Sequence, residues 1–293
     1  AARTVPAALG TQTVGSVLRP AAYNGVIGFK PAFGRIGRTG VIPMSWSCDH
    51  VGLLVRSVRD AAVMLQVMAG HDPNDSGSMN LPVPDFPAAL DAARPPRLAL
   101  LRGYFLDEAD AETRGAVEAA AQRLAAAGAD VRDADPGIDF AYGYTAHRTV
   151  QQSEMAEWHE PLFRGHEDDY LPRTREYLEA GFSYTSVQFV RAENYRAVMR
   201  DRALAVLADC DALMMPTASG PAPGELSNTG DTRFQSPWSF TGLPSIALPI
   251  GLAVNGLPLS VQFVGARFGE EGLLAAAHWA EQALGVRLSP PLE

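Results

Sequence analysis

Short apolar runs alternate along the chain with segments rich in glycine, proline and polar residues. Residues 97–101 (RLALL) and 211–215 (DALMM) are dominated by apolar side chains and predict buried strands. Residues 245–253 and 257–264 flank an Asn-Gly pair, the dipeptide most typical of a tight β-hairpin. Residues 5–9 (VPAAL) predict a further buried strand near the start of the chain.

Helices are predicted where apolar residues recur every three or four positions. Residues 57–68 combine a capping-box sequence (SVRD) with apolar side chains on one helical face. Residues 111–127 form an alanine-rich stretch closed by Gly128, and residues 272–284 predict a final helix. Residues 185–207 predict one long helix, and its buried side is expected to hold Val187, Val190, Val198 and Leu204.

The order of these elements predicts the fold class. A strand at 97–101, a helix at 111–127 and a strand that begins at residue 130 make a crossover unit, which is typical of an α/β sheet. Residues 74–96 and 218–236 are rich in glycine, proline and polar residues and predict long surface loops. We interpret residues 1–293 as one α/β domain, or most of one.

The composition is that of an ordinary globular protein, and its charge balance disfavours some classes of binding partner. The 293 residues are 47% hydrophobic and 19% charged, and the net charge of −9 disfavours nucleic acid or an anionic membrane as the main partner. No apolar run reaches the roughly 18 residues that span a bilayer. Cys48 and Cys210 fit no metal or redox spacing, so we interpret them as buried free thiols in a reducing, cytoplasmic compartment.

Residues 147–169 concentrate histidine and acidic side chains. Their spacing matches no standard ligand set, so we predict no metal site in this segment. One interpretation is a solvated helix and loop. Another is a cover over an active-site cleft, because substrate specificity is often set on such segments.

The candidate chemistry lies in residues 10–20, GTQTVGSVLRP. Small and hydroxyl residues lead to one serine, Ser16, directly after Gly15. Glycine allows a tight turn and exposes backbone N–H groups, and several such groups aimed at one point make an oxyanion hole. A serine nucleophile also needs a base within reach, and no histidine lies near Ser16 in sequence. Taken alone, the Gly-Ser pair favours a polar loop between two elements over a catalytic site.

Further motifs accompany this stretch at both ends of the chain. They are AAYNGVIGFKP (residues 21–31), GRIGRTG (34–40), CDHVG (48–52), FTGLP (240–244) and GLPLSVQ (256–262). Together they resemble the amidase signature family closely, whereas the middle of the chain matches only in outline. The resemblance implies a mixed central sheet covered by helices on both faces, a small-molecule amide substrate, and no cofactor.

The resemblance also implies roles for individual residues. Ser16 is the acyl-accepting nucleophile, and the backbone N–H groups of Thr13, Val14 and Gly15 are expected in the oxyanion hole. Glycine usually occupies the position of Val14, so a β-branched side chain, which excludes positive φ, is expected to crowd this loop. Gln12 stands where an aspartate is common, an arrangement typical of a Gly-Thr-Gln-Thr subgroup.

The family removes the proton from its nucleophile through a second serine and a neutral lysine, and both belong upstream of the present sequence. Lys30 is the only lysine here. It precedes Pro31, which favours an extended backbone, and we interpret it as structural. We therefore expect this chain to be the C-terminal portion of a longer enzyme, completed by an N-terminal segment of the same protein.

Arg19 is the candidate substrate-binding residue, because a guanidinium can hold a carboxylate with two parallel hydrogen bonds. The alternative is an ion pair with Asp49 or Asp231 that braces the loop. For function, an amidase is favoured over a non-catalytic homologue that acts as a binding protein. A tRNA-dependent amidotransferase subunit ranks third, because of the acidic charge balance. A homodimer is left open.

Overall fold

An eight-stranded mixed sheet runs through the chain. The computed structural model describes residues 1–290. The strands are β1 (Ala8–Gln12), β2 (Ile27–Lys30), β3 (His50–Val55), β4 (Arg97–Leu101), β5 (Asp130–Ala134), β6 (Ala212–Pro216), β7 (Ser245–Leu252) and β8 (Pro258–Val264). Their order across the sheet is β1-β3-β2-β7-β8-β6-β4-β5.

Helices connect the strands and cover both faces of the sheet, which confirms the predicted fold class. They are α1 (Leu18–Asn24), α2 (Val58–Met68), α3 (Phe86–Asp91), α4 (Gly103–Asp107), α5 (Ala111–Ala126), α6 (Phe140–Phe163), α7 (Pro172–Ser183), α8 (Ser186–Leu207), α9 (Ser236–Phe240) and α10 (Glu270–Leu284). Strand β4 pairs in parallel with β5 and β6, and the other pairs are antiparallel. Helix α5 links β4 to β5 as the predicted crossover, and β7 and β8 form the predicted hairpin.

Two hydrophobic cores lie on opposite faces of the sheet, because successive side chains of a strand point in opposite directions. In β4, Leu98 and Leu100 enter the core that contains α2, α3, α5 and α10. Ala99 and Leu101 enter the core that contains α6, α8 and α9. Both faces of the central strands are therefore covered, which explains why these strands read as continuous apolar runs.

The first strand differs from its prediction. Strand β1 begins at Ala8 rather than at residue 5, and it is not buried, since Val5 and Leu9 are 57% and 58% exposed. The reason is its place in the sheet. Strand β1 is an edge strand and pairs only with β3 in the described part of the chain.

The prediction that three valines lie on the buried side of α8 is wrong. Val187, Val190 and Val198 are exposed, whereas Leu204 is partly buried against the core. Helix α8 packs against α6 through other positions. Its buried residues are Ala192, Arg196, Met199, Ala203 and Leu207.

Residues 74–96 are not loop throughout, because α3 interrupts them. The side chain of Asp85 accepts a hydrogen bond from the backbone N–H of Ala88 and caps this short helix. Phe86 and Leu90 are then buried against α2 and α10. The capping residue and the apolar spacing are both present in the sequence, but proline-rich flanks obscure them.

Within residues 1–290, no helix combines the length and the apolar character needed to cross a lipid bilayer. Cys48 and Cys210 are free thiols; the first is buried and the second is half-buried. Burial raises the pKa of each thiol to about 11, so both are protonated near neutral pH.

Lys30 ends β2 and is completely buried. Its Nζ donates hydrogen bonds to the carbonyl oxygens of Leu243, at 2.6 Å, and Pro31, at 3.3 Å. Burial disfavours the charged ammonium and lowers the pKa of Lys30 from 10.5 to about 7. These contacts agree with a structural role for Lys30.

The lowered pKa of Lys30 predicts how stability changes with pH. Between about pH 7 and 10.5 the unfolded chain binds a proton that folded Lys30 does not, so stability rises with pH in this window. We expect Lys30→Met to remove this contribution. Urea unfolding at several values between pH 7 and 9.5 should show the wild-type free energy of unfolding rising relative to that of the variant. Parallel curves for the two proteins would contradict the prediction.

Candidate active site

Ser16 lies in the turn between β1 and α1. Its side chain is exposed, and its hydroxyl makes no hydrogen bond within residues 1–290. The turn forms the floor of a cleft of about 470 Å³, to which Thr13, Val14 and Arg19 also contribute. The structure therefore brings most of the residues singled out in the sequence to one place.

Gln12 holds this turn from inside the protein. Its Oε1 accepts hydrogen bonds from the backbone N–H groups of Val17 and Leu18, both at 2.9 Å. Its Nε2 donates to Oγ of Ser239 at 2.9 Å, and that hydroxyl donates to the carbonyl oxygen of Val14, also at 2.9 Å. Gln12 is fully buried, so these bonds are shielded from water.

Gly15 is required by close packing. A Cβ atom at this position would lie 2.6 Å from Oε1 of Gln235, which is itself buried. The Gln235 amide is fixed on its other side, because its Nε2 donates to the carbonyl oxygen of Thr217. Any side chain at residue 15 would therefore displace the turn that carries Ser16.

Val14 does not strain the turn. Its φ is negative, since the non-glycine residues with positive φ in the described chain are Arg3 and Phe268. Its side chain is half-buried on the cleft wall. The expectation of a crowded loop is thus not supported by the backbone, because this turn does not require positive φ at residue 14.

Asp49 braces the same turn from a second side. Its Oδ1 accepts a hydrogen bond from Oγ1 of Thr13 at 2.5 Å. Its Oδ2 accepts from the backbone N–H groups of Met44 and Ser45, at 2.8 and 2.9 Å. Both carboxylate oxygens are therefore engaged, and Asp49 forms no ion pair with Arg19 within residues 1–290, so the suggested pair between them is wrong.

Arg19 pairs with neither suggested carboxylate. Its Nη1 donates to the carbonyl oxygen of Gly230 at 2.9 Å. Asp231 instead binds Arg233, with 2.5 Å between Oδ2 and Nε. Burial lowers the pKa of Arg19, and the nearby Arg173 lowers it further, while Tyr23 and Asp231 oppose the shift.

Four backbone N–H groups surround the serine without partners. Those of Thr13, Val14, Gly15 and Ser16 donate no hydrogen bond to any residue in the range 1–290. Buried or half-buried N–H groups are normally paired, so four consecutive free donors are unusual. They supply what an oxyanion hole requires, namely donors available to a negatively charged oxygen.

No histidine or lysine lines the cleft in the described chain. His147 is buried beside it and binds Oγ of Ser236 through Nδ1 at 2.7 Å, and burial lowers its pKa to about 3. His159 contacts Tyr170, and His166 contacts Asp169, so the histidines of residues 147–169 do not converge. No set of three possible metal ligands occurs among the residues described.

The cleft walls contain residues that the sequence did not single out. Helix α6 supplies Tyr144 and Arg148, and α7 supplies Arg173 and Tyr177. Residues 229–232, in the long loop predicted at 218–236, close another side. The interpretation that residues 147–169 cover a cleft is correct for the part near Arg148. Only the fold reveals the contribution of α7, since no motif marks it.

An exposed serine at a strand-to-helix turn of an α/β sheet, beside free backbone N–H groups, has the architecture of a serine acyl-transfer site. The chain belongs to the amidase family, because the model of that family, described as Amidase, matches residues 1–274. Family membership confirms the resemblance found in the motifs around Ser16.

Individual relatives agree with this assignment. A glutamyl-tRNA(Gln) amidotransferase subunit of Geobacter metallireducens is 32% identical over 314 residues, which cover 97% of this chain and 65% of that protein. A solved structure from a vestigial complex related to an s-triazine catabolic enzyme has a TM-score of 0.86 at 31% identity, covering 96% of this chain and 64% of the other. Substrate-bound 6-aminohexanoate cyclic dimer hydrolase has a TM-score of 0.82 at 28% identity, covering 95% and 64%. The chain thus spans somewhat less than two thirds of the length of these relatives.

The contacts of Gln12 predict a large effect on stability. Gln12→Leu should lower the free energy of unfolding by about 2–6 kcal/mol, because two buried N–H groups lose their acceptor at about 1–3 kcal/mol each. Ser239→Ala removes the acceptor of Gln12 Nε2 and the donor to the Val14 carbonyl, but it leaves both hydrogen bonds to the start of α1. It should therefore cost less than Gln12→Leu, about 1–3 kcal/mol. Urea unfolding of both variants measures the difference. Equal losses would show that Gln12 does not hold the start of α1.

Proposed function

We propose that the chain carries the nucleophile of an amidase, with Ser16 as the residue that is acylated. The observation that carries this proposal is the exposed Ser16 hydroxyl on the floor of a cleft, beside four backbone N–H groups without partners. A cleft of about 470 Å³ suits a small-molecule amide. Family membership supports the same chemistry.

The proposed reaction has two steps. Oγ of Ser16 attacks the amide carbonyl carbon while its proton passes to a base, and the carbonyl oxygen gains negative charge. The N–H groups of Thr13, Val14 and Gly15 stabilise that oxygen, the C–N bond breaks, and the amine leaves with the proton. Water then attacks the acyl-serine ester, releasing the carboxylic acid and restoring the hydroxyl.

The base for this reaction is proposed to lie outside the described residues. Within them, Lys30 is held by two carbonyl groups in the sheet, and His50 and His147 are buried with pKa values lowered by burial. None of these groups lines the cleft. The family resemblance implies a lysine that acts through a second serine, and we propose that this pair completes the site. We also propose a cytoplasmic location, on the basis of the two free thiols.

A serine-directed fluorophosphonate probe tests the role of Ser16. The probe is applied to the full-length protein, which would supply the proposed base. We expect it to modify Ser16 selectively, because free N–H groups stabilise the oxyanion-like adduct, and peptide mass spectrometry locates the adduct. Ser16→Ala should abolish labelling. Ser183→Ala, which removes an exposed serine at the end of α7, should leave it unchanged. Labelling that persists in Ser16→Ala would show that another residue is the nucleophile, and absence of labelling in the wild type would indicate a non-catalytic homologue.

Hydrolysis by residues 1–293 alone tests the proposal about the base. Turnover of a simple aryl amide should be very slow, since arginine, which stays protonated, is the only basic residue type that lines the cleft around Ser16 within residues 1–290. Any residual turnover should fall further in Ser16→Ala and be unaffected by Lys30→Met. Rapid hydrolysis that is lost on replacing His147 would show that a residue of this chain is the base.

A second candidate function is that of an amidotransferase subunit. The observation in its favour is the 32% identity to the Geobacter metallireducens protein over 97% of this chain. Both candidates use the same acyl-enzyme, and they differ in whether the released ammonia is transferred to a second substrate. The net charge of −9 opposes direct contact with tRNA, so a tRNA titration at low salt should show no binding to this chain.

A further inference from the structure

Three arginines converge on the cleft that contains Ser16. Arg19 lies one helical turn beyond the serine, Arg148 projects from α6, and Arg173 lies in the first turn of α7. The carboxylate that lines the same cleft is that of Asp231. A protein with a net charge of −9 thus surrounds its candidate serine with positive charge.

These guanidinium groups are not neutralised within the described residues. Arg19, Arg148 and Arg173 form no ion pair with a carboxylate in residues 1–290. Asp231 compensates them only in part: its charge stabilises that of Arg19, but its two oxygens bind Nε and the backbone N–H of Arg233, and it is one carboxylate against three guanidinium groups. The cleft therefore has an excess of positive charge.

Arg19 and Arg148 are also positioned by contacts within the protein. Arg19 uses one of its five N–H donors on the carbonyl oxygen of Gly230 and retains the other four. The guanidinium of Arg148 stands 5.7 Å from the ring centroid of Tyr177, a distance that allows a cation–π contact. Arg173 is close enough to Arg19 to lower its pKa, so the two like charges repel each other unless an anion lies between them.

We infer that the cleft selects amides that also carry a carboxylate, and that Arg19, assisted by Arg148 and Arg173, binds this acid group while Ser16 attacks the amide. The inference rests on the proposed function and names its substrate class. A planar guanidinium binds a carboxylate through two parallel hydrogen bonds. This charge-assisted interaction is stronger in a partly buried cleft than in open water. The half-buried surfaces of Met44 and Tyr144 then contact the carbon chain between the two groups.

Calorimetric titration with two small ligands tests the inference without requiring turnover. Glutarate carries the acid group, and glutaramide is its neutral counterpart. We expect glutarate to bind more tightly by about 10- to 100-fold, the range given by hydrogen bonds to a charged group. Equal affinity for the two ligands would overturn the inference.

Substitutions of single arginines show which residues bind glutarate. Arg19→Lys keeps the charge but loses the paired donors, and it should weaken glutarate binding by about tenfold without changing glutaramide binding. Arg148→Gln should also weaken glutarate selectively; its side chain is exposed and makes no hydrogen bond in the described chain, so folding is preserved. Arg164→Gln is the matched control, because Arg164 pairs with Glu160 outside the cleft. An equal loss in Arg164→Gln would show that only overall charge matters.

The combined results separate this inference from the proposed function. Fluorophosphonate labelling of Ser16 without selective glutarate binding leaves the serine chemistry in place and removes the acid-bearing substrate class. Selective glutarate binding that depends on Arg19, in a protein whose Ser16 is not labelled, supports the anion site and removes the amidase proposal. A lowered melting temperature in Arg19→Lys, with both ligands weakened equally, would make Arg19 a brace for residues 229–232.

Discussion

The buried amide of Gln12 is the contact on which the geometry of the candidate site depends. It joins the last residue of β1 to the start of α1 and, through Ser239, to the carbonyl of Val14. An amide can donate and accept at once without burying a charge, which a carboxylate cannot do at the same low cost in free energy. Gln12 therefore satisfies the interior side of the turn. The backbone N–H groups of Thr13, Val14, Gly15 and Ser16 have no hydrogen-bond partner within residues 1–290.

The floor and the walls of the cleft have different origins. The floor belongs to the sheet: β1, β3 and the turn at Ser16 are fixed by Gln12, Asp49 and the close contact between Gly15 and Gln235. The walls come from α6, α7 and residues 229–232, which are added outside the second core. A rigid floor with separate walls lets the substrate class change through the walls while the turn around the serine is preserved.

The distribution of charge also differs between the floor and the walls of the cleft. Around the floor, ionisable groups are paired or buried: Asp49 is saturated by hydrogen bonds, and Lys30 is enclosed by carbonyl groups. On the walls, arginines remain without carboxylate partners in the part of the chain that the structure describes. An acidic protein that keeps a basic cleft concentrates its attraction for anions at one point, because low-dielectric walls focus the field of nearby charges.

The sequence by itself determined the strands and helices that short stretches of residues encode. Apolar runs predicted β4 and β6, and the Asn-Gly pair predicted the β7–β8 hairpin. An alanine-rich stretch that ends at a glycine predicted α5. The short motif around Ser16 located the candidate nucleophile only together with the other motifs of the amidase signature family at both ends of the chain. Tertiary structure alone decided which side of α8 is buried, since that depends on how closely α6 approaches it. It also decided the partner of Arg19 and brought Arg148 and Arg173 to the same cleft. The contacts around Arg19 join residues more than 100 positions apart, and no local periodicity or turn preference encodes them.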